Sequence, residues 1–167
     1  MDILGSTRNE ARLPDRLESS MTPAPPAPPV PPALRFSFRI VARVDPGIPL
    51  ERRGDDVLDY IPITGGPVSG DVEGEIVPGG GDWCVARADG TYDVEARYLI
   101  RTTDGHVIDV YNVGVVRPST DGPEYFQSTP RFRTVAPELQ WLTRSIFVGR
   151  AHASGEATTV DIFEVLI

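Results

Sequence analysis

The sequence predicts an all-β protein: a single antiparallel up-and-down β-barrel of about eight strands with one short helix, preceded by a disordered Pro-rich tail. Three observations lead there. Apolar and polar residues alternate with a period of two from Leu34 onward, the repeat of a strand with one face in a core. Glycine-containing turn signals fall between the alternating runs. Helix signals are confined to one stretch near Pro137 to Leu142, with Pro137 suited to a first helical turn. Closure into a barrel is favoured because it leaves no exposed strand edge.

The elements follow in chain order. Residues 1–33 form the tail and residues 34–167 the barrel domain. Met1 to Ser20 is polar with no clear period, and Thr22 to Pro32 is so rich in proline that helix and sheet are both disfavoured. Such a segment extends as a polyproline II rod, the form that SH3-like domains bind; a solvated tail is the simpler reading. Either Met1 or Met21 would serve as the start. Phe36, Phe38, Ile40, Ala42 and Val44 alternate with polar neighbours as a first strand. Val72, Gly74 and Ile76 mark a second such run. Val94, Ala96, Tyr98 and Ile100 mark another, and Ile146 to Ala151 and Val160 to Leu166 two more. Asp89-Gly90, Asp104-Gly105 and Ser154-Gly155-Glu156 supply the turns.

Composition excludes several function classes. At 167 residues the chain fits one domain. A net charge of -8 argues against nucleic acid and against an anionic membrane surface. No apolar run reaches the length of a membrane-spanning helix, and no signal-peptide core opens the chain. A single cysteine, Cys84, suits a reducing, cytoplasmic setting. Every one of the 16 basic residues is arginine, so no lysine is present for Schiff-base chemistry. A homo-oligomer is compatible with all of this.

The chemical motifs narrow the choice further. The only histidines are His106 and His152, with no metal-ligand spacing around them, and no EF-hand spacing occurs among the acids, so no metal is expected. Gly65-Gly66 and Gly79-Gly80-Gly81 are neither a P-loop nor a dinucleotide fingerprint; they read as barrel corners or bulges, and no cofactor is expected. Cys84 reads as a buried inert thiol rather than a nucleophile. What remains is a barrel lumen with polar anchors. Trp83, Tyr98, Asn112 and Trp141 are the ligand-binding candidates, offering ring faces and hydrogen bonds. Asp82, Arg97 and Tyr60 are the catalytic candidates: Asp82 or Tyr60 to move a proton, Arg97 to hold developing oxyanion charge. Arg97 lies on the polar side of its strand, and serves only if that side lines the lumen. The sharpest form of the expectation puts Arg97 and Asp82 together in one interior cavity walled by Trp83 and Trp141.

The run Ile63 to Gly70 and the run Pro78 to Trp83 carry a resemblance, followed in order by Ala96-Arg97-Tyr98, Asp104-Gly105, Asn112-Val113-Gly114, Tyr125-Phe126, Pro130-Arg131-Phe132 and Trp141-Leu142. Over Leu34 to Ile167 the chain resembles the domain-of-unknown-function family numbered 3237, small single-domain β-barrels. The family pattern has Asn after Trp-Leu where this chain has Thr143. The resemblance implies the barrel and no activity. Two functions fit the residues. One is a small-molecule-binding barrel with an interior pocket for a hydrophobic oxygenated organic ligand. The other is a cofactor-independent isomerase, cyclase or lyase working in the same pocket.

Overall fold

The computed structural model describes residues 29–122 and 124–167, so the predicted tail lies outside the described residues but for its end. The compact unit runs from Pro31 to Ile167. Its strands are β1 (Ala33–Val44), β2 (Ile48–Arg53), β3 (Asp56–Gly70), β4 (Gly74–Ala86), β5 (Tyr92–Thr102), β6 (Val107–Arg117), β7 (Tyr125–Arg133), β8 (Phe147–Ser154) and β9 (Ala157–Leu166). A 3₁₀ turn at Pro137–Leu139 leads into the single-turn helix α1 (Trp141–Arg144).

All pairings are antiparallel, in the order β1-β9-β8-β7-β6-β5-β4-β3, and β1 also pairs with β3. Eight strands therefore close on themselves. β2 stands outside the closed set and was not expected; it pairs with the first half of β3, which β1 leaves free by pairing only with Ile63–Gly70. The expected turns are in place. Gly90, Gly105 and Gly155 take φ of 82°, 86° and 58°, the left-handed values that a tight hairpin needs and that side chains resist.

Both glycine runs sit at bulges. The β3–β4 register shifts between Ile63 and Gly66, and the β4–β5 register shifts between Val77 and Gly81. Gly66, at φ 134°, lies against β1 so closely that a Cβ would collide with the Val41 carbonyl oxygen. A Cβ on Gly81 would enter the Tyr60 ring, and one on Gly80 would strike Tyr98. The glycines are thus required by close approach between strands.

The expected strands deviate at two places: the second run begins only at Gly74, with Val72 in the turn before it, and the first strand is kinked. A bulge between Phe36 and Phe38 buries Ser37 and turns Phe36 outward, where its ring packs against Phe163. Asp71 holds the bulge: its backbone N–H donates to the Ser37 carbonyl oxygen at 2.9 Å, and Ser37 Oγ donates to its carboxylate at 3.0 Å.

Alternation fixes the interior. Phe38, Ile40, Ile76, Ile100, Ile108, Val110, Phe132, Phe147 and Ile162 fill one end of the barrel. Leu142 of α1 closes that end from below, beside a chain of rings running Phe38, Phe132, Phe147, Trp141. Toward the β4–β5 and β8–β9 hairpins the β3–β4 side is less filled: Val57, Asp59, Ile61, Cys84 and Ala86 on the inward alternation are only half-buried, whereas Val94, Val116 and Phe126 of β5–β7 remain buried. Between β7 and β8 the ladder is short, pairing only Gln127 with Arg150 and Ser128 with Gly149. Pro130, two residues further on, has no amide hydrogen to continue it.

Candidate functional site

Strand alternation splits the expected pocket in two. Successive side chains of a strand point to opposite faces, so Asp82 and Trp83 cannot share a wall, nor can Arg97 and Tyr98. The register decides which goes where. Asp82 pairs with Ala96 and Ala96 with Asn112, a single row on the lumen side. Trp83 pairs with Glu95, and Gly81 with Arg97, on the outside.

The outer set corrects the expectation of one interior cavity. The Arg97 side chain is 55% exposed, with Asp109 at 3.9 Å and the Tyr111 ring at 5.6 Å as its neighbours. Trp83 is 41% exposed and packs on Tyr60, ring centroids 5.0 Å apart. The Tyr60 hydroxyl donates to the Gly80 carbonyl oxygen at 3.2 Å, so a structural bond occupies the group considered for proton transfer. Trp83 and Arg97 line a shallow outer groove of about 1100 Å³ with Leu58, Val113 and Tyr125. Trp141 belongs to neither set; it lies on α1 at the packed end, against Phe147.

The inner set is a polar belt of two adjacent rows. One row runs Ile61, Asp82, Ala96, Asn112, Pro130. The next runs Asp59, Cys84, Val94, Gly114, Ser128, Gly149. Small residues sit where large ones would crowd the polar groups. Ala96 separates Asp82 from Asn112, and Ser128 lies over Gly114 and Gly149, whose Cβ positions its side chain takes. Tyr98, one layer nearer the packed end, is 5% exposed.

Three buried oxygens of this belt have no hydrogen-bond partner: Asp59 Oδ1, Asn112 Oδ1 and Ser128 Oγ. Asn112 and Ser128 are 7% and 5% exposed. A buried polar group left unpaired costs about 1–3 kcal/mol, which is why folded proteins carry so few. Three of them on one inner surface are a concentration that packing does not account for.

The electrostatics of the belt point the same way. Burial pushes the Asp82 carboxyl up to about 6; the Glu95 backbone N–H, donating to Oδ1 at 2.9 Å, opposes the shift only in part. Burial also pushes the Cys84 thiol up to about 12, helped by the negative charges of Asp82, Asp59 and Asp93. A thiol so protonated is no nucleophile at neutral pH. The Tyr98 phenol is raised as well, by burial and then by Asp82. The belt therefore holds one group that exchanges protons near neutrality and several that accept or donate hydrogen bonds. Among the described residues no three His, Cys, Asp or Glu side chains gather as metal ligands. No helix among them is long and apolar enough to cross a membrane.

Sequence reasoning did not single out Asp59 and Ser128. The signal was there: Val57, Asp59, Ile61 and Ile63 alternate inward, as do Phe126, Ser128, Pro130 and Phe132, so each polar residue interrupts an apolar stripe.

The chain belongs to the family described as "Protein of unknown function (DUF3237)", whose model matches residues 32–165. It is similar to a UPF0311 protein of Rhodopseudomonas palustris, 33% identical over 146 residues, which span 79% of this chain and 95% of the relative. A crystal structure of a conserved protein of unknown function from that organism superimposes with a TM-score of 0.77 at 32% identity, covering 83% of this chain and 100% of the other. A β-barrel-like protein from Acinetobacter baumannii gives a TM-score of 0.77 at 27% identity, over 83% of this chain and 98% of that one. An enzyme from Penicillium herquei shares the fold at 23% identity and a TM-score of 0.70, over 84% and 98% of the two chains.

Proposed function

We propose that the polar belt inside the barrel binds a small oxygenated organic molecule and that Asp82 exchanges a proton with it. The observation that carries this reading is the trio of unpartnered buried oxygens on Asp59, Asn112 and Ser128, beside a carboxyl pushed up to about 6. Unsatisfied groups in a core weaken the fold, and a ligand that satisfies them recovers the loss. With its carboxyl pushed up to about 6, Asp82 is mostly ionised at neutral pH yet binds a proton at little free-energy cost, so it can take a proton and give it back. That suits an isomerisation, a cyclisation or an elimination without a cofactor. Arg97 has no part in it, since its guanidinium lies on the other face of the sheet. Any oxyanion formed in the lumen would find its donors in Tyr98, Ser128 and the Asn112 amide.

The test is hydrogen exchange at carbon. A panel of cyclic ketones and phenols is incubated with the protein in deuterium oxide, and deuterium incorporation is followed by NMR. Acid–base work in the lumen predicts exchange that falls by about a hundredfold in Asp82→Asn. Ligand binding with no exchange for any compound leaves a carrier and removes the acid–base role. Exchange that survives in Asp82→Asn removes Asp82.

A further inference from the structure

The lumen is furnished with acceptors and lacks cations. Asp59 Oδ1 and Asn112 Oδ1 are acceptor atoms without donors, Ser128 Oγ can accept as well as donate, and Asp82 adds a carboxyl in the same belt. Every arginine among the described residues is exposed. Those within the barrel strands, such as Arg39, Arg43, Arg97, Arg101, Arg131 and Arg150, occupy outward positions of the alternation. His152 is exposed on β8, and His106 lies in the β5–β6 turn paired with Glu138. The chain has no lysine. The interior thus meets a ligand with negative or neutral oxygen and no positive counter-charge.

We infer that the lumen takes a neutral or cationic organic molecule rich in hydrogen-bond donors, such as hydroxyl or ammonium groups, and excludes carboxylates and phosphates. The inference rests on the reading of the belt as a binding site. Its physical basis is desolvation. An anion brought in from water would lose its hydration and gain only the neutral donors of Tyr98, Ser128 and Asn112, with no positive charge to oppose Asp59 and Asp82; burying a charge without a counter-charge is strongly unfavourable. A hydroxyl or ammonium donor loses water too, but each donor finds a waiting oxygen. Ile61 and Val94, which lie in the two rows of the belt, take the hydrocarbon part. In this reading no arginine takes part in binding inside the barrel.

Three matched probes test it: naphthol, naphthylmethylamine and naphthoate, titrated calorimetrically into the full chain at neutral pH. Variants Asn112→Leu and Ser128→Ala report whether binding occurs in the lumen, the second serving if the first does not fold. The expected result is that naphthol or naphthylmethylamine binds at least about tenfold more tightly than naphthoate, and that this preference is lost in the variants. Naphthoate binding as tightly as the other two, with the same sensitivity to the variants, overturns the donor preference and leaves the lumen as a binding site. Binding of no probe, or binding that neither variant changes, overturns both.

Discussion

The two ends of this barrel are built from the same strands and do opposite things. At the packed end, Phe38, Ile100, Ile108 and Ile162 are wholly withdrawn from solvent, and α1 closes the base with Leu142. At the other end, the same alternation delivers Asp59, Asp82, Asn112 and Ser128 to the interior, interspersed with alanine and glycine. An eight-stranded barrel has interior enough to be filled by side chains or to hold one small ligand. Polar and small residues in the second half therefore give up packing that the first half keeps. The difference teaches that stability is concentrated in one half and chemistry is permitted in the other.

The comparison can be broken most forcefully at the packed end. Phe38→Ala is expected to cost about 3–5 kcal/mol in urea unfolding, since the ring touches Phe132 in a region with no room to collapse. A loss below about 1 kcal/mol would mean that the packed end does not anchor the fold. Asp82→Asn probes the polar end with opposite sign. The Asp82 carboxyl is raised from 3.8 to about 6 in the folded protein, so the native state binds more protons than the unfolded state between those values. Stability due to this group is therefore present at low pH and lost as pH rises through that window. The asparagine variant, which mimics the protonated form, should gain on the wild type from about pH 4 to pH 6, by up to about 2 kcal/mol. The depressed carboxyls of Asp71, Asp89 and Glu164 act in the opposite sense but are common to both proteins. Asp59, Glu95, Cys84 and Tyr98 surround Asp82, and a pH-independent difference would show that its carboxyl is not raised in the folded protein. The smallest effect is expected at Arg97→Met, within about 0.5 kcal/mol in stability and without change in probe affinity. A tenfold loss of naphthol binding there would return Arg97 to the site.

The sequence made the architecture legible because alternation and turn chemistry are local. Val94, Ala96, Tyr98 and Ile100 announce their buried face, and Gly90 and Gly105 announce the hairpins beside them. The candidate site was legible only by halves. Asp82 and Trp83 looked like one wall because they are neighbours in the chain, whereas a strand sends neighbours to opposite sides. The tight β4–β5 turn already sets Asp82 across from Ala96, and Ala96 belongs to the buried stripe; following that register would have placed Asp82 inside and Arg97 outside. Two features depend on contacts that no local pattern encodes. Pairing of β1 with β3 closes the barrel, and the bulge at Ser37 is held by Asp71 from a distant segment. β2 escaped notice because its residues are all exposed and carry no buried stripe.

A cylinder parts along its weakest stave. Here that stave is the join of β7 and β8, two residue pairs long, where the other joins of the closed barrel run to five or more. Ser128 lies on the join itself, at the rim of the polar belt. The shortest seam of the barrel is thus also the one on which a residue of the belt sits, so a local opening begun there would reach the belt before the packed end.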